Sequence, residues 1–394
     1  MNNQYQPVKR RRKPKYKNIA LILAVILLIT VFVTASCSKR DKNDDTTNPD
    51  ANQGGSDVTV PQPPIQFPEL DDPDAAGQDT NQDSDPTSQL SYTFDSIDKT
   101  KDDLGTGSLV LVNNNIKFLG SVNEDELIIV HDVKSKNYWV SDRTVMLLPE
   151  PMDALNKMLN DFFTATGNDD AMVRSGYRSV EYQQKLYEDE LKKTGASTST
   201  LVAMPGYSEH HTGMVFDFTT YNGKTYSEFD GTGDFVWIME NCYKYGYINR
   251  YPTGKEKLTL IDNEPWHFRY VGIPHATVMK QYDYCLEEYI AFIKSYTIDT
   301  SFLHVTTDDG GEYIIYYTPL ANSEKTAIYV PLDPKTNTDP ELRTPYPYEI
   351  SGNNVDGFII TVQLKAPTVT APVVPADNAG TDGGDNNLEN TDNQ

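Results

Sequence analysis

Histidine and cysteine are scarce in this chain: its 394 residues contain six of the first and three of the second. Three cysteines cannot staple a fold of this length, which excludes a disulfide-built scaffold. Cys242 and Cys285 each fall in an aromatic-rich, helix-like stretch, where a buried free thiol is the plainer reading. Bases are also short, with 34 Lys and Arg against 57 Asp and Glu, a net charge of −23. So acidic a chain has no electrostatic hold on phosphate backbones, so no nucleic acid is expected as a partner. An HExxH string is missing as well, which excludes a metal site built on one helix.

The few bases are unevenly placed. Lys9, Arg10, Arg11, Arg12, Lys13, Lys15 and Lys17 crowd residues 1–18, a basic cytoplasmic segment, and the uncharged run 19–37 follows at once. A basic flank on an apolar run of roughly the ~20 residues that cross a bilayer predicts a membrane anchor with the rest of the chain exported. The run ends in Thr34-Ala35-Ser36-Cys37, which resembles a bacterial lipobox, so the anchor is either a transmembrane helix or lipid on Cys37. Residues 38–92 hold many acids and prolines and almost no large apolar side chain, and read as a disordered acidic spacer; residues 367–394, with five acids and no base, read as a disordered acidic tail. The folded part is therefore expected at the bacterial cell surface, outside the membrane, and as a monomer.

Between these segments the pattern changes twice. Met152, Leu155, Leu159 and Phe162 recur at helical spacing after Pro149 and Pro151, and a second amphipathic helix runs from a capping Ser179 to Gly195. "AMVRSG", "GMVFDFTT", "YGYINRYP" and "WHFRYVG" are short, β-branched or aromatic, and bounded by turn residues, as strands are. One further helix is expected from about Pro274 to Tyr296. Residues 104–295 thus form an α+β domain, helices packed on a small antiparallel sheet. Residues 297–366 carry strand-like runs and no helix, which predicts a separate small all-β domain.

Against this background "PGYSEHHTGMVFDF", Pro205 to Phe218, concentrates two of the six histidines near an aspartate in an apolar run. A catalytic zinc site needs three ligands from His, Asp, Glu or Cys and one open position. His210 and Asp217 are candidates for two, and His267 in "NEPWHFRYVG" for the third. Glu264 precedes His267 by three residues, so in a regular strand the two would face opposite ways; Pro265 marks a bend that aims both inward. Glu264 is then a free carboxylate able to take a proton from water and return it to a leaving amine. Arg178, on the turn of "SGYRS", is the candidate cation for a developing oxyanion. His211 is excluded as a ligand because neighbouring strand residues face opposite ways. Taken singly, each of these side chains has an ordinary structural explanation: a turn histidine, a helix-cap acid, a solvated arginine.

"SGYRS" followed by Gln183, an S-x-H-x-x-G-x-A-x-D pattern running from Ser208 to Asp217, and "EPWHFRYVG" occur in an order that resembles the VanY-type D-alanyl-D-alanine carboxypeptidases, zinc peptidases of bacterial cell-wall metabolism related to VanX dipeptidases and LD-carboxypeptidases. The likeness covers about residues 105–289. It implies Zn2+ on His210, Asp217 and His267, Glu264 as general base and acid, and Arg178 steadying the tetrahedral intermediate. It further implies that Ser208, Gln183 and Tyr251 contact the substrate, a peptidoglycan stem peptide. Val215 and His211 depart from the family pattern, which has alanine and commonly glutamine there. The implied reaction is release of the C-terminal D-alanine by metal-activated water. The alternatives are an L,D-carboxypeptidase of the same fold acting on tetrapeptide stems, or a non-catalytic wall-binding zinc module. A serine carboxypeptidase of the penicillin-binding type is disfavoured because its short strings, Ser96-Ile97-Asp98-Lys99, Ser351-Gly352-Asn353 and Lys193-Thr194-Gly195, occur in the wrong order.

Overall fold

The computed structural model describes residues 92–368, so the segments 1–18 and 19–37, the spacer before Tyr92 and the tail after Thr368 lie outside the described residues. Fourteen strands follow in chain order: β1 (Phe94–Lys99), β2 (Ile128–Ile129), β3 (Trp139–Val140), β4 (Met146–Leu147), β5 (Ala171–Ser175), β6 (Val215–Tyr221), β7 (Tyr226–Glu228), β8 (Tyr247–Tyr251), β9 (Glu264–Tyr270), β10 (Leu303–Thr306), β11 (Glu312–Pro319), β12 (Thr326–Pro331), β13 (Tyr348–Gly352) and β14 (Gly357–Lys365). The four longest helices are α1 (Pro149–Thr166), α2 (Val180–Thr194), α3 (Ile273–Tyr282) and α4 (Leu286–Ile293).

The central sheet runs β3-β5-β6-β9-β8, with β7 added on β6. It is antiparallel except at one edge, where β3 pairs parallel to β5, a departure from the purely antiparallel sheet expected. Side chains alternate across it. Phe216 and Phe268, register partners on β6 and β9, stack 5.6 Å apart in the core under α1. Their neighbours Asp217 and His267, also register partners, face the other way. α1 starts on its prolines, where no N–H is needed, and stops at Gly167 in the left-handed conformation. Met152, Leu155, Met158, Leu159 and Phe162 give it one buried face.

Two expectations need correction. The last helix is broken: α3 ends at Asp283, held at φ 54°, and α4 begins again after Cys285. The C-terminal strands do form their own sheet, β10-β11-β14-β13, but it is not set apart. Both its faces are covered. Ile315, Tyr317 and Ile359 share a core with Leu286, Tyr289 and Ile290 of α4, while Ile314, Tyr316, Phe358 and Ile360 pack under β1 and β12. His275 on α3 ties these layers together: its Nδ1 lies 2.6 Å from Tyr289 Oη and its Nε2 2.9 Å from Thr361 Oγ1 on β14. β1 also lies outside the 104–295 segment and pairs along its whole length with β12. Cys242 and Cys285 are buried free thiols.

Candidate active site

His210 does not stand on a strand. It belongs to a single 3-10 turn, Glu209–Thr212, capped by Ser208, whose Oγ accepts from His210 N at 3.3 Å. His210 Nδ1 lies 2.6 Å from the Gly176 carbonyl oxygen, so this nitrogen carries the proton and Nε2 keeps its lone pair toward Asp217, 3.3 Å from Oδ2. Gly176 is required here: a Cβ on it would stand 2.3 Å from the Met146 carbonyl oxygen. Asp217 and His267 reach the same point from β6 and β9, with Oδ1 and Nδ1 3.0 Å apart. Potential ligand atoms of His210, Asp217 and His267 all lie within 4.8 Å of one another.

Glu264 joins them through a local irregularity. Tyr251 pairs with Glu264 and Asn249 with Phe268, so β9 spends two more residues than β8 between those pairs. The Asn249 amide fills the gap, donating to the carbonyl oxygens of Glu264, Pro265 and His267 at 3.0, 3.2 and 3.2 Å. Glu264 Oε2 thereby comes to 3.7 Å from His267 Nδ1.

Arg178 enters from the turn before α2. Its Nη2 donates to Asp217 Oδ2 at 2.8 Å and to Ser175 Oγ at 2.8 Å, and Nη1 reaches Gln183 Oε1 at 3.4 Å. Gln183 is the one buried residue of α2 and donates onward to the Ala203 carbonyl oxygen. Gln183 therefore braces Arg178 and the 200–205 loop. The Tyr251 ring lies 4.8 Å from that of His267. These eight side chains, Arg178, Gln183, Ser208, His210, Asp217, Tyr251, Glu264 and His267, line one cavity of about 500 Å³. Val215 does not reach it, and both ring nitrogens of His211 are taken: Nε2 accepts from Gly206 N at 3.0 Å and Nδ1 lies 2.7 Å from the Arg178 carbonyl oxygen. His211 is thus committed by backbone contacts in a turn, not by strand alternation.

The electrostatics separate the titrating groups. Burial, and then the Asp217 charge, push Glu264 up to about 7 although His267 pulls the other way. Burial and the Arg178 charge bring His210 down to about 4, keeping its imidazole neutral. For His267, burial acts downward but contacts with Asp217 and Glu209 outweigh it, raising the ring to about 9, so a cation binding at Nδ1 would displace a proton there. Asp217, despite burial, is held well below the carboxylate range by His210, His267 and Arg178.

Sequence reasoning missed the layer beneath. Glu209, fully buried, points its Oε1 at Arg250 Nε and Arg269 Nη1, 2.8 and 2.9 Å away, and Arg250 continues to Glu287 on α4. The signal was present: two arginines inside apolar strands must be paired if buried.

Residues 146–273 match the family model for VanY, described as D-alanyl-D-alanine carboxypeptidase. Over 267 residues the chain is 35% identical to a D-alanyl-D-alanine carboxypeptidase of Enterococcus faecium, an alignment covering 67% of this chain and 77% of that protein. It is 37% identical over 155 residues to VanXYC, the bifunctional D-Ala-D-Ala dipeptidase and carboxypeptidase of Enterococcus gallinarum, covering 38% of this chain and 80% of the relative. The crystal structure of the vancomycin-resistance D,D-dipeptidase VanXYg, in complex with a D-Ala-D-Ala phosphinate analogue, superposes with a TM-score of 0.58 at 30% identity, covering 69% of this chain and 99% of that one.

Proposed function

The chain belongs to the VanY family of D-alanyl-D-alanine carboxypeptidases, and on that premise we propose that it removes the C-terminal D-alanine from peptidoglycan stem peptides as a zinc peptidase. The observation that carries this is the convergence of two imidazoles and a carboxylate within 4.8 Å, with a further carboxylate, Glu264, 3.7 Å from His267 Nδ1. The donor set fits zinc, since His210 and Asp217 present their free lone pairs to the common point and His267 turns Nδ1 to it. When bound there, zinc supplies Lewis acidity, drawing water's pKa toward ~7 and polarising a carbonyl.

The remaining work falls to side chains. Glu264 takes the proton of the attacking water as its oxygen bonds to the carbonyl carbon, and returns that proton to the amine nitrogen as the C–N bond breaks. Burial raises this carboxyl above the ordinary range, which favours its taking up a proton. Arg178, held by Ser175 and Gln183 beside the ligands, meets the carbonyl oxygen as it becomes negative. Tyr251 and Ser208 form the cavity wall against which the peptide end rests. The basic residues 9–17 and the uncharged run 19–37 support an extracytoplasmic enzyme anchored by a transmembrane helix or by lipid on Cys37.

The test is D-alanine release from a purified pentapeptide stem. The reading requires loss of release on chelation, recovery with one zinc per chain, and indifference to a β-lactam. Inhibition by the β-lactam with indifference to the chelator contradicts it.

A further inference from the structure

Two polar atoms in the buried interior have no hydrogen-bond partner and face each other: His267 Nε2 and Glu209 Oε2, 3.6 Å apart. Both residues are buried, with side-chain exposures of 4% and 0%. Burial of an unpartnered carboxylate oxygen is costly, and the fold does not use the arginines to relieve it. Arg250 and Arg269 both donate to Oε1 and leave Oε2 aimed at the imidazole. Were Glu209 only a counterion for the two guanidiniums, a fork-like pairing would engage both oxygens, as Arg250 does with Glu287.

The geometry points to Glu209 as the positioning residue of the metal site, its Oε2 receiving the Nε2–H of His267 and so fixing the tautomer that presents the Nδ1 lone pair to the cation. This rests on the zinc reading above. His210 has its proton fixed by a backbone carbonyl, Gly176, but no backbone acceptor meets Nε2 of His267. A carboxylate is needed there, and it must itself be immobile. Arg269 supplies that rigidity: besides Glu209 it donates to the carbonyl oxygens of Tyr270, Ser108 and Val110. Arg250 ties the same carboxylate to Glu287 on α4, which also accepts from Asn113. The aim of one ligand ring thus depends on residues from the chain's early loop and its last long helix.

The test combines a spectrum with a binding measurement. In the zinc-loaded wild-type protein labelled with ¹⁵N-histidine, His267 should show a protonated, slowly exchanging Nε2 and a ligated Nδ1. Glu209→Gln should weaken zinc about 10–100-fold in competition with a chromogenic chelator, the range for loss of such a partner, and Glu209→Asp should not restore full affinity because it falls short of the ring. His267→Gln is the control: if it leaves zinc affinity unchanged, the zinc reading itself fails. If His267→Gln abolishes binding but Glu209→Gln, folded by circular dichroism, binds as wild type, the positioning role is overturned. Ligation through Nε2 in the wild-type spectrum overturns it too, whether or not the variants fold.

Discussion

Asp217 and His267 oppose each other in register across β6 and β9, with Oδ1 and Nδ1 3.0 Å apart, while their neighbours Phe216 and Phe268 stack on the other face. The same alternation that builds the core therefore sets two candidate ligands side by side. His210 and Glu264 reach them by irregular means, a capped 3-10 turn and a strand bulge.

Arg178 touches Asp217 but offers a cation no lone pair. Arg178→Ala should keep zinc at one per chain, or tighten it, because a competing positive charge is removed. kcat should fall by ~3 kcal/mol of transition-state stabilisation, the scale of one oxyanion donor. Metal analysis beside steady-state kinetics checks both, and loss of zinc would assign Arg178 to binding.

His211 spends both ring nitrogens on backbone groups of the loops around the site. His211→Gln should retain zinc but keep at most one of those contacts, lowering stability by ~1 kcal/mol. Thermal melting and zinc content together decide it.

Removing the C-terminal strands should unfold the remainder. A chain limited to residues 104–295 would expose Leu286, Tyr289, Ile290 and Ile293, and each buried side chain of this size contributes ~1.5–3 kcal/mol. Their sum rivals the ~5–15 kcal/mol that holds a domain folded. A cooperative melt of that fragment would show the C-terminal sheet to be dispensable.

His275 gives a pH signature remote from the site. Burial brings its imidazole down to about 3, whereas the unfolded chain titrates near 6.5. The unfolded state then binds the extra proton as pH falls through that interval, so stability drops on acidification from about 6.5 toward about 3. The slope from this residue is at most ~1.4 kcal/mol per pH unit. Denaturant unfolding of wild type and His275→Gln between pH 4 and pH 7 should show the shallower dependence in the variant.

That His210, Asp217, His267 and Glu264 gather at one place was legible because each falls inside a short string whose spacing and punctuation are local: a proline that bends β9, a serine that caps a turn. Glu209 was not: the two arginines inside apolar strands called for a buried acid, but nothing local marks a glutamate in a short turn as that partner. β1 was missed for a similar reason. Its sequence FDSIDK is largely polar, and only its pairing with β12, more than two hundred residues away, makes it a strand. The break between α3 and α4 contains neither Gly nor Pro; an aspartate in the left-handed region ends the first helix, and tertiary packing chooses the place.

In the mechanism proposed, Glu264 moves the proton and holds no metal. Glu264→Gln preserves shape and reach while removing the proton acceptor, so zinc content and D-alanine release should be measured on the same preparation. The expected result is one zinc per chain with turnover lowered by a factor of ~10²–10⁴. Turnover near that of the wild type would contradict it.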